Sequence, residues 1–183
     1  AALYKEVLHV IVRKETTSAK QLSNGTFSLG PVGGGTENLA LATLRQVGFP
    51  EDEISLRKES LEDGLQALRE GKADAVCIVT GIGNATVREF LAEGEFVLLD
   101  LGGDIFESIR YSYPFAHPSS IPAGAYPVKP GQGLPGESIS TIGTTVLLAC
   151  RQDLPDEHAF EVARFLGQNR ANLIRAHPLF AQM

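Results

Sequence analysis

Cysteine is scarce in this chain. Only Cys77 and Cys150 occur among 183 residues, with no CxxC pair and no Cys/His spacing of the kind that holds structural zinc. Each closes or sits within an apolar run, Asp74–Val79 and Thr144–Cys150, so two buried thiols in strands are expected; a disulfide would require the fold to bring them together. No apolar run approaches the ~20 residues of a membrane-spanning helix. Charged residues make up 21% of the chain, 16 basic and 22 acidic, interspersed and without a basic stripe, for a net charge of −6. Nucleic acid and anionic membrane surfaces are therefore not expected partners. The opening residues do not read as a secretory leader, since they run almost directly into the strand Val7–Val12; no compartment follows from that. Internal repeats and low-complexity tracts are missing, as are GxSxG, HExxH and EF-hand patterns.

What is present is an ordinary core-forming chain, 43% hydrophobic, with 19 glycines and 10 prolines. Its length fits one globular domain or two small lobes. Val7–Arg13 reads as a strand buried on both faces. Thr26–Leu29 is a short strand, and Gly30–Gly35 a glycine-rich loop. Thr36–Val47 is a helix with Leu39, Ala40, Thr43, Leu44 and Val47 on one face and Gly48 at its end. A strand at Ser55–Arg57, a helix at Ser60–Glu70, a strand at Asp74–Val79, a helix at Asn84–Ala92 and a strand at Phe96–Leu101 follow. Residues 26–101 thus alternate strand and helix, which predicts an α/β layer with a largely parallel sheet. Residues 102–140 hold most of the prolines and predict a short helix near Asp104–Tyr111 and then an irregular excursion. A long strand at Ile139–Cys150 and helices at Asp156–Gly167 and Asn169–Ala176 close the chain.

Two strand-to-helix turns carry the candidate chemistry. In GPVGGGTEN, Gly30 to Asn38, the glycines let the backbone approach a ligand closely. The unpaired amides near Thr36–Asn38 and the positive end of the helix dipole suit a carboxylate or phosphate. The spacing is neither that of a P-loop nor that of a dinucleotide fingerprint, and Glu37 competes with an anion there. A plain glycine turn capped by Thr36 is the alternative. In TGIGNATVREF, Thr80 to Phe90, Asn84 either caps the helix or offers its amide to a ligand. Both turns follow the carboxyl ends of strands, where open α/β sheets bind ligands, so they are expected to face one pocket. Arg88 and Arg110 are candidate basic groups beside an anion. His9 reads as a structural strand histidine, and His117, His158 and His177 as solvated. Asp100, Asp104 and Glu107 read as solvated or capping rather than as a metal site.

The ordered set VLHVIVRK, SLGPVGGGTENLALATL, Gly71-Lys72-Ala73-Asp74-Ala75, GNATVREFL, IPAGAYP, the DLP turn at Asp153–Pro155 and the closing Ala176–Pro178 resembles the ligand-binding receptors of the TAXI group of TRAP transporters, over nearly the whole chain. That resemblance implies a periplasmic-binding-protein-like (type II) α/β fold with helices flanking a largely parallel sheet, and ligand held between two lobes. It implies capture of a small carboxylate or acidic amino acid in the periplasm or otherwise outside the cytoplasm, delivery to membrane permease subunits, no cofactor, and no enzymatic reaction. Gly33, Gly34, Gly35, Thr36, Glu37 and Asn38 match the family's glycine turn and helix start. Thr80, Gly81, Gly83 and Asn84 match its second turn, and Tyr126 its aromatic position, expected to wall the pocket. A serine hydroxyl of the family's turn is lost at Gly34. Residues 15–100 match one complete lobe, and 1–14 with 101–183 the crossover strands and part of the other. An incomplete lobe would expose apolar surface and favour a homodimer. A ligand-sensing regulatory domain of the same fold and a small α/β enzyme using Thr36, Thr80 and a carboxylate are the competing readings.

Overall fold

The computed structural model describes residues 1–49, 51–102, 105–109, 113–176 and 178–182. Its organising element is β1 (Ala2–Arg13), a strand of 12 residues whose segment Val7–Val12 is buried without a break. Such a run has no polar face because helices cover both sides of it. The first half of β1 pairs with β9 (Ile139–Leu147), and the second half pairs with β4 (Ala75–Thr80) on one side and with β5 (Phe96–Leu98) on the other. Beyond β4 lie β2 (Thr26–Ser28) and β3 (Ser55–Arg57), giving the order β3-β2-β4-β1-β9-β6, with β6 (His117–Ile121) at the far edge. The pairings make β2, β3 and β4 mutually parallel, and β1 antiparallel to each of its neighbours. Five of these seven strands therefore run in one direction, with β1 and β6 reversed, in accord with an α/β layer whose sheet is largely parallel.

Helices follow the strands by the usual crossover logic. They are α1 (Gly35–Gln46), α2 (Leu61–Arg69), α3 (Ala85–Leu91) and the short α4 (Ile105–Ile109). Alternate residues of β1 serve two separate cores. Leu8, Val10 and Val12 meet Leu39, Ala40 and Leu44 of α1 together with Phe27 and Ile109. Val7 and Ile11 meet Leu65 and Leu68 of α2, Val87, Phe90 and Leu91 of α3, and Phe96. Each fully buried side chain of this size contributes roughly 1.5–3 kcal/mol. The starts of α2 and α3 are fixed by their own side chains: Ser60 Oγ accepts from the Asp63 amide at 3.1 Å, and Asn84 Oδ1 from the Val87 amide at 3.1 Å.

The proline-rich segment is more ordered than its composition predicts. It supplies β6 and a hairpin of β7 (Tyr126–Lys129) and β8 (Gln132–Leu134), turning at Gly131 with φ +74°. These strands are three to five residues long and two of the three carry a proline, so no clear two-residue period survives in the sequence. β9 ends at Leu147, short of the expected Cys150; Cys150 is exposed while Cys77 is buried, and both are free thiols. After β9 come α5 (Asp156–Gln168) and α6 (Arg170–Ala176), neither with a buried residue. Phe160 and Phe165 of α5 are 67% and 57% exposed, and Leu147 at the end of β9 is exposed as well. No described helix is long and apolar enough to cross a membrane.

Candidate functional site

A cleft of about 390 Å³ opens where the carboxyl end of β4 meets the start of α1. Gly35, Thr36, Asn38 and Leu39 line it from α1, Val79 from β4, Glu6 from β1, Thr144 from β9, and Tyr113 and Phe115 from the segment before β6. The glycine loop creates the opening. Gly33 has φ +75°, a region that disfavours any residue with a Cβ, and Gly34 is the N-cap of α1 in an extended conformation with no capping side chain. A Cβ at Gly35 would meet no atom within 4 Å, so the helix starts against open space. The Gly34 amide is used by the Pro31 carbonyl at 3.0 Å, and the first-turn amides that follow, from Gly35 to Glu37, are those for which a helix supplies no acceptor of its own.

The side chains in this turn do different things. Thr36 does not cap the helix; its Oγ1 accepts the Val79 amide at 3.0 Å and so ties α1 to the end of β4. Glu37 points away from the open end. Its carboxylate accepts the Gly33 amide at 2.6 Å and pairs with Lys58 Nζ at 2.7 Å, and that lysine followed by the Gly33 amide holds its pKa below the usual carboxylate value. The expected competitor for an anion is thus a clamp on the loop. Asn38 is exposed at the rim.

The second turn does not join this cleft. None of Thr80, Gly81, Gly83 and Asn84 lines it. Asn84 Nδ2 donates to Thr80 Oγ1 at 3.1 Å, closing the turn on itself, and a Cβ at Gly81 would run into the Leu179 side chain. Ile82 of this turn lines a separate hollow of about 260 Å³ with Lys5, Val7, Pro118, Ser119 and Ser120. Lys5 and Val7 share one face of β1, whereas Glu6 shares the α1 face with Leu8. The two turns therefore face opposite sides of the sheet.

Tyr126 is no pocket wall either. It is fully buried, and its hydroxyl lies 2.6 Å from His9 Nε2. The Val7 carbonyl, 3.0 Å from His9 Nδ1, can only accept, so Nδ1 carries the proton and Nε2 accepts from Tyr126. The Gly83 backbone acts to lower the Tyr126 pKa, against the larger effect of burial. Burial pushes His9 down to about 4 and Tyr126 up to about 12. His117, expected in solvent, is half-buried with Nδ1 against Ser119 Oγ at 2.9 Å. Asp100 accepts the Gly102 and Ser140 amides, and among the described residues no acidic, histidine or cysteine cluster could hold a metal. Arg88 is exposed beside Glu89 and away from the cleft; Asp104, Arg110 and His177 lie outside the described residues.

Glu6, Tyr113, Phe115 and Thr144 escape the sequence reading. Glu6 carries a faint signal, as the charged position just before an apolar strand and in phase with Leu8, Val10 and Val12. Nothing local in the sequence marks the other three.

An uncapped helix start opening on a cleft at the carboxyl end of a strand is the place where open α/β sheets bind ligands. The NMT1-like family model matches residues 1–183, and the chain belongs to the NMT1-like family. Among solved structures it is similar to the periplasmic aliphatic sulphonate binding protein SsuA from Escherichia coli, with 13% identity over 98% of this chain and 53% of that one, and a TM-score of 0.52. A mutant of ArgBP from T. maritima matches at 17% identity over 99% and 60% of the two chains, TM-score 0.47. The substrate binding protein of an amino acid ABC transporter matches at 14% over 91% and 55%, TM-score 0.45. The likeness to SsuA shows the fold, that of the type II periplasmic-binding-protein class, and the chain spans about half the length of these proteins.

Proposed function

We propose that this chain is the ligand-holding part of a solute-binding protein that works outside the cytoplasm, takes a small carboxylate or amino acid in the cleft beside α1, and delivers it to membrane permease subunits. The observation that carries the reading is the start of α1: Gly35 and Thr36 of its first turn line a cleft at the positive end of the helix dipole, with a glycine at the cap in place of a side chain. SsuA is named as a sulphonate binder, and a sulphonate asks for the same anion-accepting amides as a carboxylate. The finer assignment, a TAXI-type receptor of a TRAP transporter, is supported by the ordered motifs from VLHVIVRK to the DLP turn. On this reading residues 15–100 form one lobe, and β1 with residues 101–183 form the crossover and part of the second. The protein performs no chemistry; it needs a ligand that favours one arrangement of its parts over another.

The test is a thermal-shift series with small carboxylates, amino acids and alkyl sulphonates on the 183-residue chain. At least one anion class is expected to raise Tm with concentration. Gly35→Val places a branched side chain into the open space of the cleft and is expected to abolish that rise while the protein stays folded. A flat response to every anion, or a response that Gly35→Val leaves intact, overturns the assignment of the site.

A further inference from the structure

Helix α5 turns most of its surface to solvent, and that surface carries an ordered pattern. None of its residues is buried; Ala159 and Leu166, half-buried, mark its inner side. On the side turned away from them run Glu157, Glu161, Arg164 and Gln168, at the alternating spacing of four and three that keeps side chains on one helical stripe. Phe160 flanks this stripe on one side and Phe165 on the other, and both rings are exposed. A shallow hollow of about 370 Å³ lies beside Phe165, lined also by Glu161, Val162, Arg164, Gln168 and Asn169. Within the helix Glu161 and Arg164 make only a loose pair at 4.0 Å, each with more than half of its side chain in solvent.

This stripe is complementary to itself when turned end for end. A two-fold axis between Val162 and Ala163 sets Glu161 of each copy opposite Arg164 of the other, and Glu157 opposite Gln168. The same rotation keeps both Phe165 rings on one side of the seam and both Phe160 rings on the other, so each Phe165 ring enters the hollow beside its counterpart. Parallel helices would instead set Glu161 on Glu161. We infer that α5 is the contact of a homodimer, two copies of this chain meeting antiparallel along residues 157–168. Opposed helix dipoles favour the same arrangement. An anionic membrane is the poorer occupant, because Asp156, Glu157 and Glu161 outnumber Arg164 on this helix. The two rings of each copy remove roughly 250 Å² of surface from water. A pair of 13-residue helices falls short of the about 800 Å² per partner of a standard interface. The dimer is therefore a weak one that dissociates on dilution, and in dilute solution the rings are bare.

The experiment is analytical ultracentrifugation of the 183-residue chain from about 5 μM to about 500 μM at low salt. The average mass is expected to rise from monomer towards dimer across that range. Glu161→Arg and Arg164→Glu each set like charges across the seam and are expected to weaken self-association about tenfold or more. Both side chains are exposed, so the urea midpoint of each variant is expected to stay where it was, which separates a lost contact from a lost fold. An equal mixture of the two variants restores opposite charges only in the heterodimer, and is expected to associate as well as the unaltered chain. A chain that remains monomeric at the highest concentration overturns the inference. So does a dimer that either charge reversal leaves intact, and so does a mixture of the two variants that stays monomeric, since neither result fits an antiparallel seam of Glu161 and Arg164.

Discussion

The buried His9–Tyr126 pair makes the stability of this protein depend on pH in a calculable way. His9 is neutral in the fold, with Nδ1 donating to the Val7 carbonyl and Nε2 accepting from Tyr126. Its pKa lies at about 4 against an ordinary 6.5. As pH falls below 6.5 the unfolded chain takes up a proton that the folded chain refuses, so folding loses stability from there down to about 4. At about 1.4 kcal/mol per unit the full loss is about 3 kcal/mol. Most of it is reached by about pH 4.5, which for a chain of this size moves a urea midpoint by roughly 1 M.

The measurement is urea unfolding at about pH 7.5 and about pH 4.5 for the natural chain and for His9→Gln, which does not titrate. Carboxylates and exposed histidines contribute equally to both proteins, so the difference between the two stabilities isolates His9. That difference is expected to shrink by about 2–3 kcal/mol on acidification. If it stays flat, His9 is not buried neutral and the hydrogen-bond direction assigned here is wrong. The partner group has its own window: Tyr126, raised to about 12, keeps its stabilising effect below pH 10 and loses it as pH climbs towards 12.

Other consequences follow from single contacts. Gly64→Ala is expected to destabilise by about 1–3 kcal/mol despite better helix propensity, because the new Cβ collides with Ser28 Oγ. Among the described residues Ser28 Oγ is buried without a partner, so Ser28→Ala alone is expected to be neutral or stabilising and to soften the Gly64→Ala cost in a double-mutant cycle. Glu37→Gln removes a carboxylate whose pKa is held below its ordinary value by Lys58 and the Gly33 amide. Its stabilising effect is present above the ordinary carboxylate pKa and lost as pH falls through the folded value, so the variant is expected to show a shallower acid limb in the same urea series. Phe160→Ala and Phe165→Ala are expected to change unfolding free energy by no more than about 0.5 kcal/mol, while lowering binding of an apolar dye to the folded protein.

Much of the fold is legible because its signals are local. The runs at Val7–Val12 and Ala75–Thr80, the capping residues Ser60 and Asn84, and the apolar stripe of α1 each announce an element without reference to its neighbours. The hairpin of β7 and β8 is not legible in this way, since its register comes from pairing and not from any alternation in YPVK and QGL. Tyr126 shows the same limit at a single residue. Its place in AGAYP suggests a loop aromatic, but Ile121, Tyr126 and Ile139 close over Val7 and Ile11, and the hydroxyl finds its partner 117 residues away in His9.

The two glycine turns show why the site itself is only half legible. Both follow a strand, both contain a left-handed glycine, Gly33 and Gly83, and both open a helix. What separates them is which side of the sheet the following helix covers. β1 and β4 are buried on both faces, so neither strand's sequence says that α1 packs on Leu8 and Val10 while α3 packs with Val7 and Ile11. The capping chemistry does distinguish the turns. Asn84 satisfies its own helix through Oδ1 and its own turn through Nδ2, so nothing there waits for a ligand. At Gly34 the helix start has no side chain to satisfy it, the nearby carboxylate of Glu37 is already held by Lys58 and Gly33, and the remaining amides open on the cleft. A helix start that opens on a cleft leaves amides that water or a ligand acceptor can satisfy, and this is the physical reason we propose the ligand at the first turn and not the second.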